Sequence, residues 1–514
     1  MALTDAVPRK TWPSEVKITA THFQILYITF LFVTCIIRAA SQSVVSAEAS
    51  MYDTLPRGGF SYLFQAADFR DNFLTTYLCF ITSKLFGFGE LSLRTPGVLG
   101  ALIYMLGCRQ LCNWAFTSEN WASLTLVWLT LNPFILDLMV FGQGHGLGLG
   151  FVVWLMYYIL CVLSNEDVVL RRIGYLAGLT VCANLAFLVP VLGLLVTLLA
   201  IEVSRSRKRA LVKLIRQVLG PALVVFIVIA GIPLSKAGEH ILQQESASLP
   251  RSVESLVQAS LHYKTPFGDH FKAIRLMAAF TFWTGRLVGW LLVVTLPLAL
   301  RSLKNVRLGQ AARDDALLLV TGGTLISSVS ILLLSNIFSQ APYPFGKDGA
   351  YLLVLGGLYL ASVVAALSRI ASPARRFQAA VAFIICTQTV MFAFQWNPRY
   401  FYLWRSEARI KYIAQIIAGR HDQDDTRKLT IGAAYGFRPS LNYYVQNLGM
   451  TWVNHLGLTP VDAEYDFYVL SRAEEALIAK RHLVLIYRDK LSGAMLARQS
   501  NCSDVTEKGE TKAW

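Results

Sequence analysis

The stretch SAEASMYDTLPRGG, Ser46 to Gly59, carries two carboxylates, Glu48 and Asp53, beside Arg57 in a chain that is otherwise mostly apolar. Asp68, Arg70, Asp71 and Asn72 follow it closely. A carboxylate at a membrane face can take a proton from an attacking hydroxyl or amine, or hold a divalent cation through oxygen. An arginine beside it can grip a phosphate through two parallel hydrogen bonds. The same residues also suit a hydrated loop whose ion pairs contribute little. Farther along, Arg251, Lys264, Lys272, Arg275 and Lys347 are further cations able to meet a phosphate, arginine bidentately and lysine as a point charge. Gln143 and His145 lie in a run with five glycines in nine positions, Gly142 to Gly150. That run lacks the preceding strand and the Gly-Lys-Ser ending of a phosphate loop. Its small residues suit close helix packing, and its polar side chains suit either a water interface or contact with a polar ligand. Asp137, just upstream, is costly inside a membrane unless paired or hydrated.

The elements that must position these groups are membrane spans. Of 514 residues, 54% are hydrophobic and 15% charged, against roughly a quarter charged in soluble proteins. Apolar runs near 23–40, 96–115, 121–141, 146–163, 173–187, 189–201, 217–234, 285–300, 315–335, 350–368 and 377–395 predict about eleven spans. The first run is long for a signal sequence and reads as a retained anchor. The stretch 173–201 predicts two short helices meeting near Pro190. Asn72 to Phe86 is apolar on one side and predicts an interfacial helix, and Arg251–Tyr263 reads as a helix on the membrane or a lid.

Charge orients these spans. Arg205, Arg207, Lys208, Arg209, Lys213 and Arg216 fill one loop, Arg301, Lys304, Arg307 and Arg313 a second, and Arg369, Arg375 and Arg376 a third. All three fall on the side of the N-terminus, which the positive-inside rule makes cytoplasmic. The loop 41–95, the turn 142–145, the loops 235–284 and 336–349 and everything after Gln395 then face outside. The net charge of +15 has its explanation in basic loops facing anionic lipid, and no basic-aromatic nucleic-acid module is present. Eight cysteines show neither a disulfide framework nor zinc spacing, and Cys108 and Cys112 read as packing on one helix face.

After Gln395 the composition changes. SEARIKYIAQIIAG reads as an amphipathic helix; LTIGAA, MTWV, YDFYVL and HLVLIY read as strands; RPSLNYYVQNLG and RAEEALIAK read as helices between them. Expected are a membrane domain, 1–395, containing the loop 41–95, and a small extracytoplasmic α/β domain, 396–514.

The order EASMYD, FRDNFLTTYL, LFGFGELSLRTPGVLGALIYMLG and LTLNPFILDLMVFGQGHGLGLGF resembles the GT-C superfamily of membrane glycosyltransferases, near the protein O-mannosyltransferase and aminoarabinose-transferase type. The likeness covers Phe23–Phe151 well, weakens through APYPFGKDGAYLL, and weakens further in FRPSLNYYVQ and YDFYVL. Ala47 stands where the family's leading aspartate would be, leaving Glu48. Asn72 stands at a family histidine, Gln143 and His145 at an arginine and a tyrosine, and Lys347 at a later arginine.

The resemblance implies an α-helical polytopic enzyme that moves a hexose or pentose from a polyprenyl-phosphate donor, with inversion, to an acceptor glycan, lipid or protein of the cell envelope. Glu48, Asp53 and Asp71 are the expected catalytic acids. Lys347, Arg251 and Arg70 are the expected phosphate ligands, and Gln143, His145 and Asn72 the expected substrate contacts. The resemblance fixes no cofactor, and the outer carboxylates permit magnesium or manganese without demanding it. The expected location is a bacterial inner membrane, with the active site outside. A transporter or flippase is the alternative, against which stand the lack of paired mid-membrane charges and of a two-half repeat. A non-catalytic partner of the same fold is the third reading, favoured by Ala47 and Gln143.

Overall fold

In the computed structural model of the chain, the described residues are 14–54, 72–164, 170–205, 209–236, 248–260, 290, 293–295, 297–298, 313–367, 373–421, 427–457 and 459–499. They fall into two compact units. One lies within Met1–Ala39, Phe64–Ile81 and Arg94–Pro398, the other within Ala40–Leu63, Thr82–Leu93 and Arg399–Trp514.

The helices, in chain order, begin with α1 (Ser14–Ser41), α2 (Ser46–Thr54), α3 (Phe73–Phe86), α4 (Glu90–Ala115), α5 (Glu119–Leu131) and α6 (Pro133–Val140). There follow α7 (His145–Leu163), α8 (Leu170–Ala183), α9 (Leu188–Arg205), α10 (Arg209–Leu214), α11 (Gly220–Lys236) and α12 (Leu249–Ser260). The last long helices are α13 (Arg313–Ser339), α14 (Ala350–Leu367) and α15 (Pro373–Gln395). Eight helical segments among the described residues are long and apolar enough to cross a membrane, and nine if the bent pair α5–α6 counts as one span. The chain is a multi-pass membrane protein. About eleven spans were expected; the span near 285–300 falls mostly outside the described residues, and the one expected at 173–187 is α8, whose 14 residues are too few to cross upright.

Two breaks differ from the sequence reading. The expected single span 121–141 is two helices bent by 61°. Asn132 precedes Pro133, so its backbone is pushed out of the helical region, to φ −55° and ψ 120°. Its side-chain oxygen then accepts from the amides of Phe134 at 3.0 Å and Ile135 at 3.4 Å, while Pro133 takes the first helical position. The second break was expected near Pro190 and lies at Asn184, which is extended at φ −163° and ψ 128°. Pro190 sits inside the first turn of α9, where a missing amide costs nothing.

Small residues let the helices close. A Cβ at Gly100 of α4 would overlap the backbone of α7, meeting Leu147 Cα at 2.8 Å, and one at Gly148 would enter the Phe187 ring. The packing reading of the glycine run therefore holds at Gly148. Cys108 and Cys112 are buried free thiols.

The second unit holds the C-terminal α/β element. Helix α16 (Ile410–Ala418) buries Ile410, Ile413, Ala414 and Ile417, the i, i+3, i+4, i+7 stripe of an amphipathic helix. Strands β1 (Ile431–Ala433), β2 (Phe467–Leu470), β3 (Val484–Arg488) and β4 (Met495–Arg498) form one sheet in the order β1-β2-β4-β3, with β1 and β2 parallel and the other pairs antiparallel. Helix α17 (Arg438–Asn447) and the short α18 (Ala476–Lys480) lie between strands in sequence. MTWV, expected as a strand, contributes only an isolated bridge from Val453 to Leu429, and β4 was not expected. Tyr468, Leu470, Leu477, Leu483, Met495 and Ala497 form the core beneath the sheet.

Candidate active site

In the first unit three of the expected residues meet. The turn 141–144 joins α6 to α7, and Gly144 has φ +79°, a left-handed conformation open to glycine. A side chain there would also strike the Ala183 carbonyl and the Thr75 hydroxyl. This turn presents Gln143 and, at the start of α7, His145. Facing it is the 3-10 turn Gly346–Gly349 that opens α14. Lys347 donates to the side-chain carbonyl of Gln143 and stands 5.2 Å from the centre of the Phe141 ring. His145 Nε2 lies 3.2 Å from Asp348 Oδ1. Since a carboxylate only accepts, Nε2 carries the proton in this pair. His145 is 1% exposed, and its Nδ1 is buried without a hydrogen-bond partner.

The break at Asn184 serves this turn. Its side-chain amide donates to the Gln143 carbonyl at 3.1 Å, and its oxygen caps Ala186 N at 2.8 Å. Helix α12 braces the lysine turn from another direction. Ser252 donates to the Pro344 carbonyl, and Gly346 N–H donates to Ser255 Oγ at 3.0 Å. Arg251, exposed on that same helix, is thereby near in sequence to the brace on Lys347. Asn72 stands just before α3 with a buried Oδ1 that has no hydrogen-bond partner. Asp137 finds its partner in Arg38 of α1; their side chains are 5% and 2% exposed.

In the second unit, Glu48 is 1% exposed in the first turn of α2, and its Oε2 accepts from the Val45 amide at 3.2 Å. The C-terminal segment surrounds this turn. Val44 N–H donates to the Tyr444 hydroxyl at 2.7 Å, and Ser43 Oγ donates to the Ala408 carbonyl at 2.9 Å. Ser46 donates to Glu407 through its amide at 2.5 Å and its hydroxyl at 2.8 Å, and Ser440 adds a third donor at 2.7 Å. Burial pushes the Glu407 carboxyl above its ordinary value of 4.5; the serine hydrogen bonds pull it down, and the charge of Glu48 adds to the rise. Glu90 pairs with Lys411 at 2.7 Å in the same unit.

Asp53 belongs to α2, but its side chain is outside the described residues, as are Arg70 and Asp71 entirely. Among the described residues no three His, Cys, Asp or Glu side chains gather as a metal set. Sequence reasoning missed Arg38, Asn184 as a bracing residue, Asp348 and Glu407. Asp348 adjoins Lys347 and carried the only local signal, an acid beside a proposed cation. Glu407 carried none.

No protein-family model and no curated protein matches the sequence. Solved structures do match the fold. The apo structure of ArnT from Cupriavidus metallidurans superposes with a TM-score of 0.52 at 13% identity, covering 93% of this chain and 98% of that one. The same protein bound to undecaprenyl phosphate gives 0.45 at 14% identity, with the same coverage. The oligosaccharyltransferase of Archaeoglobus fulgidus, in complex with Zn and sulfate, gives 0.38 at 9%, covering 92% of this chain and 73% of that one. Across nearly its whole length the chain has the fold of ArnT.

Proposed function

We propose that this protein is an integral membrane glycosyltransferase that moves a sugar from a polyprenyl-phosphate donor to an acceptor on the outer face of a bacterial inner membrane. The observation that carries this reading is Glu48. It is a fully buried carboxylate on the helix that starts just after the first span, where the family likeness puts an acid. A buried acid held by its own turn is preorganised for proton transfer, and solvent does not compete for it.

In the reaction, Glu48 removes the proton from the acceptor hydroxyl or amine as its oxygen or nitrogen attacks the anomeric carbon. The bond from that carbon to the phosphate oxygen breaks on the opposite face, so the configuration inverts. The electron pair leaves with the lipid phosphate, and Lys347, with Arg251 and Arg70, stabilises the growing charge. Gln143, His145 and Asn72 orient the head group. Asp53 and Asp71 are the next candidates for the base. With the N-terminus cytoplasmic, these groups and the C-terminal element face outward.

The test uses purified full-length protein in nanodiscs and synthetic undecaprenyl-phosphate hexoses and pentoses. Envelope glycan, lipid and protein fractions serve as acceptors. Release of undecaprenyl phosphate is the readout. Glu48→Gln should lower the rate by about 10²–10⁴-fold, the usual contribution of general base catalysis. If Glu48→Gln, Asp53→Asn and Asp71→Asn each leave release intact, the assignment of the base fails.

A further inference from the structure

We propose that Glu407 is a positioning residue for Glu48, holding the first turn of α2 so that the Glu48 carboxylate keeps one orientation. The inference rests on the reading of Glu48 as the base of sugar transfer.

The first amides of a helix have no partner within the helix, and a negative group near them is favourable. In α2 Glu48 supplies one such group from within the first turn, and a second comes from far away in the sequence. Glu407 closes the short 3-10 turn Arg405–Glu407, and its own exposure is 4%. Both of its oxygens are used on one residue: Oε2 takes the Ser46 amide and Oε1 the Ser46 hydroxyl. Two bonds to a single residue fix rotation as well as position. Ser440 Oγ, from α17, donates to Oε2 and in turn holds Glu407. Two residues after Ser46 comes Glu48.

Alternatives to positioning fit less well. A residue kept for packing alone would be apolar, or an amide without charge. Glu407 is instead a buried acid placed where the charge of Glu48 opposes its ionisation. Glutamine would not replace it, because an amide has one accepting atom and Glu407 accepts through two. The neighbouring contacts, Val44 to Tyr444 and Ser43 to Ala408, fix the chain that leads into the turn. Glu407 grips the Ser46 amide and hydroxyl directly, from outside the turn.

Two measurements test this on the full chain in nanodiscs. The first is amide hydrogen exchange. Glu407→Gln should speed exchange at Ser46–Ala49 by tenfold or more and leave α7 and α14 unchanged. The second is kinetics with the undecaprenyl-phosphate sugars above. Glu407→Gln should lower kcat by about 10–100-fold with the donor KM unchanged, since small misplacement of a catalytic group costs about that much. Ser46→Ala, which removes only a hydroxyl, should give the same pattern more weakly and covers the case in which Glu407→Gln fails to fold. Unchanged exchange in both variants refutes the tether. Faster exchange with unchanged kcat refutes its role in positioning. Transfer that survives Glu48→Gln refutes the base itself, and the exchange data then still judge the tether separately.

Discussion

Removing Asp137 should cost more than removing Arg38, although the two form one ion pair. Both side chains are almost wholly buried, at 5% and 2% exposure. Breaking a buried pair from one side typically costs about 3–5 kcal/mol, because the remaining charge loses its direct partner in a poorly hydrated place. The two survivors differ in what they can do next. A lone aspartate can take up a proton and become neutral, which caps its penalty. A guanidinium cannot lose its proton in a protein and keeps its charge. Asp137→Leu should therefore lie at the upper end, about 4–5 kcal/mol, and Arg38→Met nearer about 3 kcal/mol. The double variant, with both charges gone, should return to within about 2 kcal/mol of the parent. The assay is SDS-driven unfolding in bicelles, followed by tryptophan fluorescence, with the four proteins closing a double-mutant cycle. Two results would overturn the argument: single variants that each cost under about 1 kcal/mol, as exposed pairs do, or a double variant as weak as the sum of the singles.

Three further outcomes follow from the packing and the caps. Gly100→Ala should destabilise by about 1–3 kcal/mol through overpacking against α7, whereas Gly231→Ala, whose nearest neighbour would be at 3.6 Å, should be neutral or stabilising in the same unfolding assay. Asn132→Ala removes the cap of α6 and should cost about 1 kcal/mol, measured in the same way. Glu407 gives a pH dependence of known sign. Its folded carboxyl binds a proton more tightly than the unfolded one, because burial raises it above 4.5. Its contribution is full below that value and declines as pH rises toward the raised one, with a slope of at most about 1.4 kcal/mol per pH unit. Glu407→Gln should flatten this part of a stability-against-pH curve; an unchanged slope would contradict the burial argument.

What the sequence revealed depended on how local each cause was. The stripe Ile410, Ile413, Ala414, Ile417 is periodic, and the helix it predicts is there. The bend at Asn132 was equally local, since an asparagine before a proline both ends one helix and caps the next. It was missed because average hydropathy runs smoothly across it. At 184–190 the proline drew the eye, yet a proline is tolerated in a first turn and the asparagine does the breaking. Strand β4, MLAR, has no β-branched or aromatic residue to announce it and gains its place from pairing with β2 and β3. Of the polar cluster in the first unit, Gln143, His145 and Lys347 were named in advance, but their pairing with one another and with Asp348 depends on how the two turns pack. Glu407 lies 361 residues from its partner Ser46, and no pattern in a single chain links such positions.

That separation has a consequence for how the protein is made. Ribosomes add roughly 5–20 residues per second. Ser46 leaves the ribosome roughly 20–70 s before Glu407 does, a delay that follows from their 361-residue spacing. Throughout that interval the membrane segments can insert and pack, but the Ser46 amide and hydroxyl lack the Glu407 carboxylate that holds them. A nascent or truncated chain is thus a membrane protein without a finished acid site. Synthesis of the last fifth of the polypeptide becomes the step that completes the start of α2.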